Sequence, residues 1–251
     1  MSQSQAPTAA ILVIGDEILS GRTQDTNTNY IARFLGGLGI DLKEARVVGD
    51  VEDEIVAALN ALRARYTYVF TTGGIGPTHD DITADAIAKA FGVGIDFHPE
   101  VVAMLAARYK PGEFNEMRKR MARIPFTATL VKNTASTAPG FQIGNVFVMA
   151  GVPMVMRAML EDIAPRLARG AIVHAATVQA RIAEGRVAEG LQKVQKDFPA
   201  LSIGSYPFFR EDGSGTQLVA RGRDAAMVEA AARAIEDLVR SEGVEPSRVS
   251  T

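Results

Sequence analysis

Residues 66–91 read YTYVFTTGGIGPTHDDITADAIAKAF. YTYVFTT is a short, largely apolar run that reads as a strand. GGIGPTHDD follows it, with three glycines, a proline and two adjacent aspartates. Ala84, Ile87, Ala88 and Phe91 then recur on one face at helical spacing. A strand passing through a glycine-rich loop into a helix is the repeating unit of an α/β sheet, and the upstream sequence repeats it twice. AAILVIG (9–15) is a continuous apolar run, the pattern of a strand buried on both faces. Ile31, Phe34, Leu35 and Leu38 mark a helix that ends in the Gly36–Gly39 region. DLKEARVVG reads as a second strand, and Ile55, Ala58, Leu59 and Leu62 as a second helix. The acidic stretch Asp50–Glu54 opens that helix, where negative charge meets the positive end of the helix dipole. This alternation predicts a parallel sheet with helices on both sides, a three-layer α/β domain.

Downstream, PEVVAMLAARY (99–109) reads as a helix with Pro in its first turn. The basic segment KPGEFNEMRKRMARIP is expected to hold a short helix or an excursion. TATLV and VFVMA read as further strands, and Pro153 starts a helix with Met156, Met159, Leu160 and Ile163 on its buried face. The methionines of 154–159 are read as core. After residue 171 the order changes. HAATVQARI, LSIGSYP and TQLVARG read as strands and two helical stripes lie among them, at Val187–Phe198 and Met227–Leu238. The expected organisation is a loose tail over 1–8, an α/β domain over 9–170 and a small α+β module over 171–245, with the terminal EGVEPSRVST frayed.

Composition narrows the function classes. The 251 residues carry 27 Lys plus Arg against 29 Asp plus Glu, a formal charge of −2. No basic excess exists to grip a phosphate backbone, and no polybasic run suits a membrane surface, so neither nucleic acid nor membrane is expected as a partner. With no cysteine, disulfides, thiolate metal sites and a cysteine nucleophile are excluded. Residues 1–9 lack a signal-peptide pattern, and the apolar run after them is too short to span a bilayer. A cytoplasmic location is the expectation.

Ligands of open α/β sheets bind at the carboxyl ends of strands. Four polar clusters fall there: Gly15-Asp16-Glu17, Gly49-Asp50, the 71–83 loop and Ala150-Gly151-Val152-Pro153. Glycines at such a turn expose successive N–H groups to an anion. The P-loop is excluded because no Gly-Lys-Ser/Thr follows, and His79 stands where a dinucleotide fingerprint needs a third glycine. The loop alone reads equally as a tight turn with Asp81 or Thr78 as a helix cap. Asp16, Asp50 and Asp81, all at predicted strand ends, favour a site, since carboxylates facing a phosphate call for a cation between them. Mg²⁺ is commonly held by one or two carboxylates plus phosphates. His79, His98 and His174 have no ligand spacing, so zinc is not expected. No Gly-x-Ser-x-Gly elbow is present, so an acyl-transfer triad has no support. MRKRMAR (117–123) reads first as a solvated helix face and second as a source of positive charge for a ligand phosphate.

GDEILSG (15–21) with Asn27-Thr28-Asn29, VVGD (47–50), TTGGIGPTHDDIT (71–83), NEMRKRMARIP (115–125), APGF (138–141) and AGVP (150–153) occur in one order. Over about residues 9–170 this resembles the molybdopterin-binding-like domain of CinA-type competence/damage-inducible proteins. The same domain is similar to the MoaB/Mog molybdenum-cofactor proteins and to the N-terminal part of eukaryotic FAD synthases. SIGSYP (202–207) resembles the small KH-type module that follows this domain in CinA-like proteins. Two departures stand out. The last loop has Ala150 where the family has Pro, and this chain has no sequence for the deamidase domain into which many CinA proteins continue.

The resemblance implies a phosphate or pyrophosphate ligand next to a ring system. CinA-type domains are associated with metal-dependent hydrolysis of ADP-ribose, with Mg²⁺ or Co²⁺ and K⁺. Mog-type members adenylylate molybdopterin. A metal-dependent pyrophosphohydrolase, a non-catalytic nucleotide- or pterin-binding protein and a molybdopterin adenylyltransferase are therefore all open. For the first, Asp16, Asp50 and Asp81 are the expected catalytic acids, with Asp16 and Asp81 on the metal. Gly73, Gly74 and Gly76 would cradle a phosphate, Thr72 and Thr83 would donate hydroxyls, and Asn27 and Gly151 would contact the rest of the ligand. A homo-oligomer is expected because relatives commonly form one.

Overall fold

The computed structural model describes residues 6–249 except 111 and 212. The chain divides after Gly170 into two units. The first begins β1 (Thr8–Ile14), α1 (Asp16–Leu19), α2 (Asn27–Gly37), β2 (Asp41–Val48), α3 (Glu52–Arg65), β3 (Tyr68–Thr72) and α4 (Thr83–Phe91). It continues β4 (Ile95–Phe97), α5 (Pro99–Arg108), α6 (Glu116–Lys119), β5 (Arg123–Pro125), β6 (Thr129–Val131), β7 (Gly140–Ile143), β8 (Val146–Met149) and α7 (Pro153–Ile163). The main sheet runs β2-β1-β3-β8-β7-β6, and β4 pairs with β5 apart from it. The first four strands are parallel to one another, β7 runs antiparallel to β8, and β6 runs antiparallel to β7.

The apolar runs explain the layers. Successive side chains of a strand point to opposite faces. Ala10, Leu12 and Ile14 of β1 enter one core with Ile55 and Leu59 of α3, Ile87 of α4 and Val101 of α5. Ala9, Ile11 and Val13 enter the other with Ile31 and Leu35 of α2 and Met156, Met159 and Leu160 of α7. Helices thus cover both faces of the sheet, as the run AAILVIG predicts. Met154 departs from the expected core stripe and is 64% exposed at the start of α7.

Five elements escape the sequence reading, two of them the short paired strands β4 and β5. Strand β7 pairs with β8 through the two-residue turn Gly144-Asn145, so the sheet is mixed rather than wholly parallel. Its sign was that dipeptide between two apolar runs, a hairpin signal. The polar stretch after β1 contains α1. At the other end, Ser247–Val249 form a strand rather than a frayed tail. The expected loose tail over 1–8 falls for residues 1–5 outside the described residues, and Thr8 already belongs to β1.

The second unit is β9 (His174–Ala180), α8 (Glu184–Asp197), β10 (Ser202–Arg210), β11 (Gly213–Gly222), α9 (Ala225–Ser241) and β12 (Ser247–Val249). Its antiparallel sheet runs β10-β11-β9-β12. Val178, Leu218 and Ala220 of the sheet pack with Val187 and Leu191 of α8 and Val228, Ala231 and Ile235 of α9. Arg248 fastens β12 to α9 through Glu236 and Glu229. Among the described residues, no helix is long and apolar enough to cross a membrane.

Candidate functional site

The strand order reverses at β1. From it the chain steps out to β2 on one side and back across to β3 on the other. Such a switch point opens a crevice at the carboxyl ends of the two strands that diverge there. The loops after β1, β2, β3 and β8 meet in it. Gly15 N–H donates to Val48 O at 3.1 Å, joining the ends of β1 and β2, and Gly73 N–H donates to Met149 O at 3.1 Å, joining β3 to β8. Gly73 has φ 106°, and a Cβ there would lie 2.1 Å from Ile14 O. The β1 and β3 loops therefore touch backbone to backbone, which only glycine permits. A Cβ on Gly151 would stand 3.3 Å from Gly73 Cα, so the last loop closes against the same point.

The acids divide into two groups. Asp16 N–H donates to Asp50 Oδ2 at 3.0 Å, and Asp50 N–H donates to Asp16 Oδ1 at 3.4 Å. This reciprocal exchange places the two carboxylates side by side across the β1 and β2 loops. Burial raises the Asp50 carboxyl above the usual aspartate value, against the Asp16 N–H that lowers it, and the charges of Asp16, Glu17 and Asp80 raise it further. Asp81 is engaged elsewhere. Its Oδ2 accepts from the N–H of Thr78 at 2.8 Å and from the Thr78 hydroxyl, and its carboxylate faces Gly76. The acid that the structure couples to Asp16 is thus Asp50, whereas the expected metal pair was Asp16 and Asp81 with Asp50 as a third carboxylate. Among the described residues, no three His, Cys, Asp or Glu side chains converge as a metal cage. A two-carboxylate donor set suits a cation whose other ligands are phosphate oxygens and water.

Both threonines expected to donate to a ligand are committed to the scaffold. Thr83 is fully buried, and its hydroxyl donates to Gly73 O at 3.0 Å while its N–H donates to Gly74 O at 3.0 Å. The Thr72 hydroxyl accepts from Asn27 Nδ2 at 2.9 Å and lies 3.4 Å from Ala150 O, to which it donates. Asn27 Nδ2 also reaches Gly151 O at 2.7 Å, so this amide ties the β3 end to the last loop. With the loop held from below, the N–H groups of Gly74, Ile75 and Gly76 are taken by no backbone carbonyl among the described residues. Successive free amides at such a turn are groups that suit an anion, and the Asp81 carboxylate packs against Gly76 beside them.

Several contributors were missed or misweighted in the sequence. Asp25 accepts from the N–H groups of Asn27 and Thr28 at 2.9 and 3.1 Å and so caps α2, for which the acid just before Thr-Asn was the signal. Thr78 was read only as a candidate helix cap and Glu17 only as part of the cluster after the first strand, neither as a site residue. The 117–123 segment is neither plainly solvated nor ligand-facing as a whole. Arg118 lies over the Tyr109 ring, Lys119 over Phe97, and Arg123 pairs with Asp85. Arg120, Met121 and Arg123 line the narrow space beside Gly74, Gly76 and Asp81. The His79 side chain stays 92% exposed.

Residues 10–169 match the family described as probable molybdopterin binding domain, and residues 172–248 match that described as FAD synthase, middle domain. A CinA-like protein of Syntrophotalea carbinolica is 38% identical over 165 residues, which are 63% of this chain and 40% of that protein. A protein of Saccharolobus islandicus is 38% identical over 168 residues, 64% of each. The chain thus matches less than two thirds of the length of these relatives. A crystal structure of a CinA protein of unknown function from Thermoplasma acidophilum is similar with a TM-score of 0.61 at 34% identity, covering 65% of this chain and 99% of that one.

Proposed function

The chain belongs to the probable molybdopterin binding domain family over residues 10–169, and from that premise we propose that its strand-end rim binds a nucleotide or pterin phosphate. We propose further that it hydrolyses the pyrophosphate bond of ADP-ribose or a related nucleoside diphosphate with a divalent metal. One observation carries the reading: unengaged amides at 74–76 stand on the same rim as the Asp16–Asp50 carboxylate pair. The amides suit a phosphate, and the acids would repel it unless a cation lay between.

Asp16 and Asp50 are the residues to hold Mg²⁺ or Co²⁺ together with ligand phosphates, Asp81 is the remaining acid of the expected set, and K⁺ is an accessory. When bound, the metal offsets phosphate charge and makes a water easier to deprotonate. The protein's own groups do the rest. The amides of Gly74–Gly76 fix one phosphate, and the Gly73–Gly151 contact keeps the last loop close to the other end of the ligand. Burial raises the Asp50 carboxyl above an ordinary aspartate, which suits it to take a proton from the water. Water adds to one phosphorus, the bridging P–O bond breaks, and AMP and ribose 5-phosphate leave. The test is AMP release from ADP-ribose with Mg²⁺ or Co²⁺ and K⁺, beside Asp50→Asn and Asp81→Ala. Metal-dependent release that Asp50→Asn abolishes supports the reading. No release from ADP-ribose, FAD, NADH or coenzyme A refutes the hydrolase.

A further inference from the structure

Helices α2 and α7 line a groove of about 810 Å³. That volume falls in the range of small-ligand sites, roughly 300–1,000 Å³. Tyr30, Arg33 and Phe34 line it from one face of α2, at helical spacing, and Arg157 lines it from α7. The two rings are half-buried against the core that α2 and α7 share. Arg157 lies over the Tyr30 ring, 4.5 Å from its centroid. Glu161 stands four residues further along α7, at the spacing of a helical ion pair, yet Arg157 takes the ring instead.

Neither Arg33 nor Arg157 donates to a carboxylate or a carbonyl among the described residues. A guanidinium carries its N–H donors in a planar fork that fits a phosphate. Contact with a ring restrains the Arg157 side chain without using those donors. The acid of the lining, Asp25, is already engaged by the N–H groups of Asn27 and Thr28 at 2.9 and 3.1 Å. The lining thus sets two free guanidiniums and two rings against one capped carboxylate, which suits an anion borne by a ring-containing ligand. The groove also adjoins the rim. Gln24, Asp25 and Thr26 line both the groove and a cavity of about 70 Å³ that Gly73 and Gly151 bound.

We propose that the α2–α7 groove is a second anion subsite, which takes a phosphate monoester carried on the ribose of the ligand's nucleoside. Arg33 and Arg157 hold that phosphate, and Tyr30 and Phe34 give ring surface beside it. The diphosphate stays at Gly74–Gly76, and the nucleoside reaches past Gly151 into the groove. The ligand class is thereby narrowed to nucleoside diphosphates that bear a further phosphate on the sugar. This rests on the rim being a nucleotide site.

The test is calorimetric titration of the full chain, in MgCl₂, with two ligand pairs, NADPH beside NADH and coenzyme A beside dephospho-coenzyme A. The members of each pair differ by one phosphate monoester, on the 2′ oxygen in the first and the 3′ oxygen in the second. In at least one pair the phosphorylated member should bind about 10-fold more tightly or better, the size of one hydrogen bond to a charged group. In the double variant Arg33→Ala, Arg157→Ala that preference should vanish, with the phosphorylated member falling to the level of its partner. Arg157→Met, which keeps an apolar stem on Tyr30, replaces the double variant if that does not fold. Binding without a preference in either pair overturns the inference alone, as does a preference that survives in the variants. No binding of any of the four overturns both the inference and the nucleotide reading.

Discussion

Thr83→Val separates a scaffold role from a ligand role at one hydroxyl. Valine keeps the shape and the β-branch of threonine, so packing at this fully buried position is preserved and only the O–H is lost. That O–H donates to Gly73 O at 3.0 Å, and Gly73 lies past the end of β3, where no ladder partner replaces it. Removing the donor leaves a buried carbonyl unsatisfied, at about 1–3 kcal/mol. For a unit of this size each kcal/mol lowers Tm by roughly 2–4 °C, so the first unit should melt roughly 2–12 °C lower. Differential scanning calorimetry of the ligand-free full chain measures this, with Thr83→Ser as the control that retains the hydroxyl. An unchanged Tm for Thr83→Val, accompanied by lost affinity for ADP-ribose, would refute the reasoning and return the hydroxyl to the ligand.

Asp50 gives a pH-dependent prediction. Its carboxyl is raised in the folded state, so folding is favoured when it is protonated and loses stability as pH rises from the ordinary aspartate value through the raised one. Asp50→Asn should therefore have a higher urea midpoint than the wild type at pH 7, with the gain shrinking toward pH 3; a gain constant with pH contradicts this. Gly73→Ala forces a Cβ to within 2.1 Å of Ile14 O at a positive φ, and should cost more than the ~1–2 kcal/mol of the left-handed penalty alone. Gly36→Ala, in α2 with nothing within 4 Å, should instead gain about 0.5–1 kcal/mol, and thermal melts of the two variants check the contrast. Arg123 and Asp85 form a part-buried pair, with side chains 27% and 30% exposed. Arg123→Met should cost about 1–3 kcal/mol in urea, between an exposed pair and a buried one, and adding Asp85→Leu should restore part of it.

The layers were legible because they rest on local pattern. AAILVIG is apolar at every position, which only a strand with cores on both faces requires, and the four strand-end clusters could be counted along the chain. Strand β7 was harder, since four residues are too few to show a period and only Gly144-Asn145 marked its hairpin. Ser247–Val249 carries no strand pattern at all; it is held by pairing with β9 and by Arg248, partners dozens of residues upstream or on another element. The same distance hid the site's wiring. Asp16 and Asp50 meet because β1 and β2, after a register shift at Ala9/Ala10, pair 34 positions apart from Ala10 to Ile14. Thr72 and Thr83 looked like ligand donors because sequence shows a hydroxyl but not the carbonyl that already accepts from it.

The central claim is that phosphate ligands bind where the 71–83 loop, the Asp16–Asp50 pair and the last loop meet. Hydrogen exchange of the full chain, with and without ADP-ribose and MgCl₂, tests it most directly. The account predicts slowed exchange at Gly74, Ile75 and Gly76 and in peptides covering 15–18 and 150–152, with the 172–248 unit unaffected. Binding that leaves 74–76 unprotected, or that protects only the second unit, would contradict it.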